Sequence, residues 1–335
     1  MARAPPRRRD GRRWRVTPQW PVRDVKRASR VGWTLGAGMP RGRIAPRGGI
    51  GYGRVMDGEG SAAALAASVI PVRAGGDTEV EVLLVKRRRR ASFMASSWVF
   101  PGGAVDPEDG NPRVTAIREL FEEIGVLLAA PAPAPRPEGG GEAASLRAEL
   151  AAKIAAGASF RDGLERSGAT PSEDALYYFS HWITPSIEAK RFSARFYVAA
   201  MPPEQTAAPA DGELEEVAWL SPSRALGQGA GALNLPPPQI RILHELAELA
   251  DRGGIDEILA ACAERAANPH PILPRAAARD GAPMLLLPWD PDYESGRGEA
   301  LPMPEGHPLA TGPSRFILED AAWKHAYAPT SQSAD

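Results

Sequence analysis

Three glutamates in a short stretch of the chain have a spacing that suits metal binding. In RELFEEIGVLL, residues 118–128, Glu119, Glu122 and Glu123 fall at i, i+3 and i+4. A helix would therefore place all three carboxylates on one face, where they repel each other. A hard divalent cation such as Mg²⁺ or Mn²⁺ prefers oxygen ligands and offsets that repulsion. The spacing thus predicts a metal platform on a helix.

The alternative is that the glutamates form an ordinary solvated helix surface. On such a surface a lysine or arginine four positions later would neutralise each carboxylate. The residues four positions after Glu119, Glu122 and Glu123 are Glu123, Val126 and Leu127. Because no basic residue stands at these positions, the pattern favours the metal site.

The segments before the glutamates predict the elements that position them. Asn111 or Asp109 can cap a helix, Pro112 suits its first turn and Gly125 stands near its end, which predicts a helix over about residues 112–124. Upstream, the strand-like runs LAASVIPVR and VEVLLVKR flank a Gly-Gly-Asp turn and predict a β-hairpin. The next segment, WVFPGGAVDPEDGNPR, predicts the end of a short strand followed by a long turn.

The chain after this helix alternates between low-complexity and regular segments. Residues 129–141, AAPAPAPRPEGGG, form a linker, and the helix-like run SLRAELAAKIAAG follows. We expect residues 129–175 to be a helical insertion, because ALYYFSHWITP, RFSARFYVAAM and LEEVAWLS supply further strands for one sheet. Apolar residues at helical spacing then predict a helical extension over residues 235–335, whose tail contains short extended pieces.

Charge is distributed unevenly along the 335 residues. Residues 1–54 hold 15 Lys and Arg against two Asp, whereas the remaining 281 residues hold 25 basic and 39 acidic groups. The composition of residues 1–55 predicts a disordered basic arm. Such an arm could bind nucleic acid or anionic lipid, or act as a targeting peptide. A mispredicted start codon is the third interpretation, because Met56 directly precedes the first strand-like segment.

Composition excludes several classes of protein. The single cysteine, Cys262, excludes an internal disulfide framework, and no apolar run reaches the roughly 18 residues of a membrane span. We therefore expect a soluble, cytoplasmic protein with no membrane partner, and no nucleic-acid partner unless the basic arm is real. Neither a Gly-x-Ser-x-Gly elbow nor a phosphate-binding P-loop is present, so serine hydrolase and ATPase chemistry have no support.

The glutamate helix resembles the signature of the Nudix hydrolases. RELFEEIGV, residues 118–126, fills the second half of that signature without a mismatch. In the first half Gly102 and Glu108 have the expected spacing, but nine residues separate Glu108 from Arg118 where the signature has seven. The resemblance implies an α/β fold: an α/β/α sandwich with a mixed β-sheet, a helical insertion after the glutamate helix and C-terminal helices, all within residues 56–335.

The resemblance also implies the roles of the site residues. Nudix enzymes hydrolyse a nucleoside diphosphate linked to another group, with divalent metal to neutralise charge and activate water. Arg118 would orient the glutamates, and Glu119 and Glu123 would be the essential pair. The general base stays open between these glutamates and a later loop. The implied metal ligands are Gly103, through its carbonyl oxygen, with Glu119, Glu122 and Glu123, and the later base candidates are Asp211, Glu213 and Glu216.

Segments outside the signature suggest a substrate. WVFPGGAVDPED, LNLPPPQ and LLLPWDPDY resemble the Nudix branch that includes the animal peroxisomal coenzyme A diphosphatase. That branch cuts coenzyme A and acyl-coenzyme A to phosphopantetheine products and adenosine 3',5'-bisphosphate. The residues predicted to contact substrate are Arg87, Trp182, Arg191 and Phe192. The alternative to substrate contact is that Arg87 lies in a solvated basic loop and that the aromatic rings belong to the core.

Two other functions remain compatible with the sequence. One is hydrolysis of a different diphosphate, such as ADP-ribose, NADH or a nucleotide sugar. The other is a non-catalytic sensor that binds a nucleotide in a Nudix-type pocket. The altered first half of the signature keeps the sensor open, and the intact half at residues 118–126 argues for an enzyme.

Overall fold

The structure is a computed structural model that describes residues 62–76, 79–88, 96–130, 142–210, 214–227 and 233–328, with the side chains of 142–145 left out. Three sequence predictions concern residues outside this part of the chain. They are the disordered arm at 1–55, the linker at 131–141 and the base candidates Asp211 and Glu213.

Fourteen strands and five α-helices make up the described structure. The strands are β1 (Ala64–Ala74), β2 (Val80–Arg87), β3 (Trp98–Val99), β4 (Gly102–Ala104), β5 (Ala129–Ala130), β6 (Thr170–Pro171), β7 (Tyr177–Ile183), β8 (Phe192–Ala200), β9 (Leu214–Leu220), β10 (Pro271–Ile272), β11 (Arg275–Arg279), β12 (Ala282–Leu286), β13 (Arg315–Glu319) and β14 (Ala322–Ala326). The helices are α1 (Pro112–Ile124), α2 (Glu142–Ala155), α3 (Phe160–Glu165), α4 (Pro222–Gly227) and α5 (Pro237–Ala267).

The central sheet is mixed, as expected for this α/β fold. Its strand order is β10-β7-β8-β1-β2-β3, with β4 paired to β1 and β9 paired to β2. The predicted hairpin is confirmed, because β1 and β2 pair antiparallel. β1 also pairs in parallel with β8, in a register that joins Ala64 to Phe192. Parallel neighbours need a long crossover, and here the crossover contains α1 and the insertion.

Helices cover both faces of this sheet, because apolar side chains along its strands point alternately to one face and to the other. In β2, Leu83 and Val85 face the cluster that includes α1 and α3, while Val82 and Leu84 face the cluster that includes α5. All four side chains are fully buried. Alternate residues of a strand point to opposite faces, so a run without polar residues predicts burial on both sides. The result is the predicted α/β/α sandwich.

Helix α1 begins and ends at the residues that the sequence indicated. The side chain of Asn111 accepts hydrogen bonds from the backbone N–H groups of Arg113 and Val114, and Pro112 occupies the first turn. At the other end Gly125 adopts a left-handed conformation with φ of 71° and donates its N–H to the Phe121 carbonyl. The helix packs on β1 and β4, which holds its acidic face beside the sheet.

The insertion after α1 contains the short helices α2 and α3. Leu150 and Leu164 are fully buried and join the cluster that covers α1. The described residues from 62 onward belong to one compact unit, in which the predicted insertion adds to the same core as the glutamate helix. Within the described residues, no helix has both the length and the apolar character needed to cross a membrane.

The C-terminal part differs from the predicted helical extension over 235–335. Only α5 is a long helix, and it bends at Gly253 and Gly254, whose φ and ψ values are not helical. Beyond it, β11 to β14 form a four-stranded antiparallel sheet in sequence order. One of its tight turns is Asp280-Gly281, with φ values of 51° and 84°, which is a recognisable hairpin signal.

The alternation of apolar and polar residues around that turn is weak, which explains why the sequence did not predict the sheet. Strand β11 reads RAAAR, in which alanine favours a helix as readily as a strand. The second turn, Asp320-Ala321, adopts positive φ values of 51° and 61° without a glycine. Its sequence therefore carries no glycine signal for a hairpin.

Candidate active site

The three glutamates of α1 line one end of a large cleft. The cleft has a volume of about 960 Å³ and is also lined by Gly102, Gly103 and residues of the C-terminal sheet. Ligand clefts commonly span roughly 300 to 1,000 Å³, so this one can hold a substrate of cofactor size. The glutamates thus lie at one end of a space that extends to a distant part of the chain.

Strand β4 approaches the acidic face of α1 closely because it is formed by glycines. The backbone N–H of Gly102 donates to Oε2 of Glu123 at 2.9 Å. A Cβ atom at Gly103 would overlap the carboxylate of Glu119, so any other residue there would displace it. Glycine therefore lets the backbone of β4 lie against two of the three carboxylates.

Arg118 organises the other side of the cluster. Its Nη2 lies 2.9 Å from Oε1 of Glu119, and its Nη1 donates to Oε2 of Glu122 at 2.7 Å. Its Nε donates to Oδ1 of Asp109 at 3.0 Å. Charged hydrogen bonds of this length are strong and directional. Arg118 therefore contacts Glu119 and Glu122, and its orienting role stays a prediction.

Asp109 is the residue that sequence reasoning missed. Its carboxylate is nearly fully buried, and it accepts hydrogen bonds from Arg118 and from the hydroxyl of Thr115 at 2.8 Å. Glu108, the residue with the expected spacing, is exposed on the same short 3₁₀ turn, Pro107–Asp109. The longer loop thus presents its next residue, Asp109, to Arg118. The sequence Pro-Glu-Asp predicts a turn, but only the geometry of the loop shows that Asp109 is buried.

The site has more negative than positive charge. Burial raises the pKa of Glu119 above its ordinary value, Arg118 lowers it in part, and Glu122 raises it further. For Arg118, burial disfavours the charged form, but hydrogen bonding to Asp109 and the charges of Glu119, Asp109 and Glu122 raise its pKa. Arg118 therefore stays charged, and one cation faces several carboxylates. A further cation would relieve the repulsion that remains.

The carboxylates are not arranged as a finished metal cage. Among the described residues, no group of three or more His, Cys, Asp or Glu side chains converges on one point as metal ligands. Arg118 holds Glu119 and Glu122, and the Gly102 N–H holds Glu123. Metal binding would therefore require these carboxylates to shift toward a common point while each keeps one oxygen on Arg118 or β4.

The residues predicted to contact substrate divide into two groups. Arg87 and Phe192 are half-buried and line the cleft. Trp182 also lies in the cleft wall, but it is only 3% exposed and belongs to the core beside α5, so its ring face is not open to stack on a base. Arg191 is buried elsewhere: its Nε donates to the Thr184 carbonyl and its Nη2 to Glu299 at 3.3 Å.

The described base candidate of the later loop lies away from the glutamates. Glu216 is exposed on β9 and pairs with Lys86 at 2.7 Å. It does not contribute to the wall of the cleft. Of the described candidates, the glutamates of α1 are therefore the ones that line the cleft, and Asp211 and Glu213 stay open as base candidates.

Comparison with protein families identifies this arrangement. Residues 62–141 match the NUDIX domain family, and residues 107–246 match the family described as the NUDT19 Nudix domain. The two matches meet at α1 and together include the glutamates, β4 and most of the central sheet.

Curated relatives agree with these matches. Putative nudix hydrolase 7 of Caenorhabditis elegans is 31% identical over 179 residues, which cover 52% of this chain and 58% of that protein. Acyl-coenzyme A diphosphatase NUDT19 of Gallus gallus is 29% identical over 289 residues, which cover 65% of this chain and 75% of that protein. Peroxisomal coenzyme A diphosphatase ndx-8 of Caenorhabditis elegans is 48% identical over 52 residues, 15% of this chain and 22% of that protein.

A solved structure shows similarity over about half of the chain. The NUDIX hydrolase from Alicyclobacillus acidocaldarius is 25% identical, with a TM-score of 0.48, and the match covers 56% of this chain and 91% of that one. The family matches, together with the curated relatives, carry the assignment. Residues 62–246 therefore contain a Nudix domain, and the chain resembles the branch that contains these coenzyme A diphosphatases.

Proposed function

We propose that the protein hydrolyses the diphosphate linkage of coenzyme A or acyl-coenzyme A with the help of Mg²⁺ or Mn²⁺. The observation that carries this proposal is the position of the Glu119, Glu122 and Glu123 carboxylates at one end of a cleft of about 960 Å³. The curated relatives with coenzyme A diphosphatase in their names support the choice of substrate.

The donor set at this end of the cleft suits a hard divalent cation. Three carboxylates and the nearby carbonyl of Gly103 offer oxygen ligands, with no sulfur or imidazole among them. Burial raises the pKa of Glu119, Arg118 lowers it in part and Glu122 raises it further, so a cation bound nearby would favour the charged carboxylate. When bound, the cation would neutralise the diphosphate and activate water.

The protein's own residues would orient the reacting groups. Arg118 holds Glu119 and Glu122 in place, and the Gly102 N–H holds Glu123. Asp109 fixes Arg118 in turn through a buried ion pair at 3.0 Å. Such outer contacts determine where ligand oxygens point.

In the reaction, the oxygen of water forms a bond to one phosphorus and the bridging P–O bond breaks. The bridging oxygen leaves with the other phosphate, and the proton of the water passes to a carboxylate base. Glu119 and Glu123 are the candidates for that base, because both line the cleft and are partly shielded from solvent. The products from coenzyme A are a phosphopantetheine and adenosine 3',5'-bisphosphate.

A panel of substrates tests the proposal. The full-length protein would be incubated with Mg²⁺ or Mn²⁺ and with coenzyme A, acetyl-coenzyme A, ADP-ribose and NADH in parallel, and the release of phosphate monoesters measured. We expect cleavage of the coenzyme A compounds, and a loss of at least about a hundred-fold in kcat for Glu123→Gln. Glu149→Gln is the matched control, because Glu149 is exposed on α2 and pairs with Lys153.

Each other outcome selects an alternative. Selective cleavage of ADP-ribose or NADH would keep the metal chemistry and replace the substrate. Binding of a nucleotide without cleavage of any compound would support the sensor. Equal activity in Glu123→Gln and Glu149→Gln would remove the α1 carboxylates from the reaction.

A further inference from the structure

One face of the C-terminal sheet is apolar and continues from the core into the cleft. The strand register places Ala276, Leu285 and Phe316 side by side on β11, β12 and β13. Two positions further along the same face, Leu318 of β13 pairs with Trp323 of β14. These five residues therefore form one apolar surface across the sheet.

The two ends of this surface have different surroundings. Phe316 is fully buried in the cluster that includes α5, whereas Leu318 and Trp323 are half-exposed and line the cleft. The lining of the cleft also includes Phe192, Pro237 and other apolar residues. Three of its charged residues, Glu188, Lys190 and Arg297, are exposed.

The carboxylates that line the same cleft determine what can reach this surface. A diphosphate held at Glu119, Glu122 and Glu123 leaves the group attached to it to extend along the remaining wall. Large exposed apolar surfaces in a cleft commonly mark binding sites for an apolar ligand group. A nucleotide or a sugar would place polar groups against Leu318 and Trp323, while a hydrocarbon chain would bury them favourably.

We propose that the apolar face formed by Leu318 and Trp323 binds the acyl chain of the substrate and makes the protein prefer acyl-coenzyme A over free coenzyme A. This inference rests on the proposed function and adds a specificity-determining surface to it. The surface lies almost 200 residues beyond the glutamates in sequence. It belongs to the four-stranded sheet, which is separate from the central sheet that packs against α1.

A pair of neighbouring substitutions tests the inference. Leu318→Gln places a polar group of similar size on the cleft wall. Ile317→Gln makes the same kind of change one position earlier, where the half-buried side chain faces Met284 on the opposite face of the strand. For each variant and for wild type, kcat/KM would be measured for octanoyl-coenzyme A and for free coenzyme A, and folding checked by circular dichroism.

We expect Leu318→Gln to lower the ratio of octanoyl-coenzyme A to coenzyme A by about ten-fold, the usual effect of a lost apolar contact in a specificity pocket. Ile317→Gln should keep the wild-type ratio, because a purely structural defect lowers both activities together. An unchanged ratio in a folded Leu318→Gln protein overturns the inference and leaves the proposed function intact. If wild type cleaves neither compound, the proposed function fails, and the inference fails with it.

Discussion

Two of the arginine–carboxylate networks in the described part of the chain differ in their charge balance. At the cleft, Arg118 contacts three carboxylates, those of Asp109, Glu119 and Glu122. On α5 the ratio of arginines to carboxylates is reversed. Two arginines, Arg241 and Arg265, donate hydrogen bonds to the single carboxylate of Glu245. The first network lines an open cleft, whereas Arg241 and Glu245 are buried.

The difference appears in the pKa directions of the two glutamates. Burial acts to raise the pKa of both. At Glu245, Arg241 and Arg265 outweigh burial and lower the pKa. At Glu119, burial and Glu122 outweigh Arg118 and the pKa is raised. A network with enough positive charge stabilises the fold, whereas one that lacks it has capacity for an additional cation.

The largest expected effect is on stability, at Glu245. Glu245→Gln would leave Arg241 and Arg265 without a charged partner in the core, and we expect a loss of about 3 kcal/mol in the free energy of unfolding. Urea denaturation at pH 7 measures it, with Glu248→Gln on the exposed side of α5 as the matched control. A loss no greater than the control would show that the core network does not stabilise the protein.

An intermediate effect is expected on activity, at Asp109. Asp109→Asn keeps the shape of the side chain but removes the charge that fixes Arg118, so kcat should fall about 10- to 100-fold. The Mg²⁺ concentration for half-maximal activity should rise as well, which a general loss of folded protein would not produce. Glu108→Gln, on the same turn, should remain near wild type. A larger loss of kcat in Glu108→Gln than in Asp109→Asn would indicate that Glu108, and not Asp109, supports the site.

The smallest effect is a gain of stability at Glu119. Because its pKa is raised in the folded state, the folded protein favours the protonated carboxyl, and this contribution to stability is lost as pH rises through the raised pKa. In chelator at pH 7, Glu119→Gln should therefore be more stable than wild type by about 0.5 kcal/mol. The gain should vanish below about pH 4, where the unfolded chain is also protonated.

The pH dependence of Glu245 has the opposite sign. Its lowered pKa gives a contribution to stability that is present above the ordinary glutamate value and lost as pH falls through the folded value. Unfolding of wild type and Glu245→Gln compared between pH 7 and pH 3 should therefore show the two proteins converging in acid. A constant difference across this range would contradict the assigned direction.

Sequence reasoning succeeded where local chemistry decides the structure. The ends of α1 follow from Asn111, Pro112 and Gly125, and the glutamate face follows from helical spacing. The hairpin of β1 and β2 follows from two apolar runs around a turn. In these segments the nearest neighbours in the chain are also the partners in space.

It failed where contacts cross the fold. Asp109 meets Arg118 through a loop whose irregular turn is not specified by spacing. Trp182 on β7 and Arg191 directly before β8 are both buried, and only tertiary packing shows that they are enclosed. Leu318 and Trp323 join the cleft through a sheet formed by alanine-rich strands and a turn without glycine.

The parallel pairing of β1 with β8 has a consequence for how the site is assembled. Each partner in that register, such as Ala64 and Phe192, lies 128 positions away in the chain. Closing a loop of this length makes the protein one of high contact order, for which slow folding is expected. Removing the 47 residues of the insertion would shorten the loop yet change its closure entropy by only about 0.4 kcal/mol. Loop closure therefore places little constraint on the length of the predicted insertion, whose Leu150 and Leu164 still pack into the core beside α1. The cleft forms only after the chain through Trp323 has been synthesised.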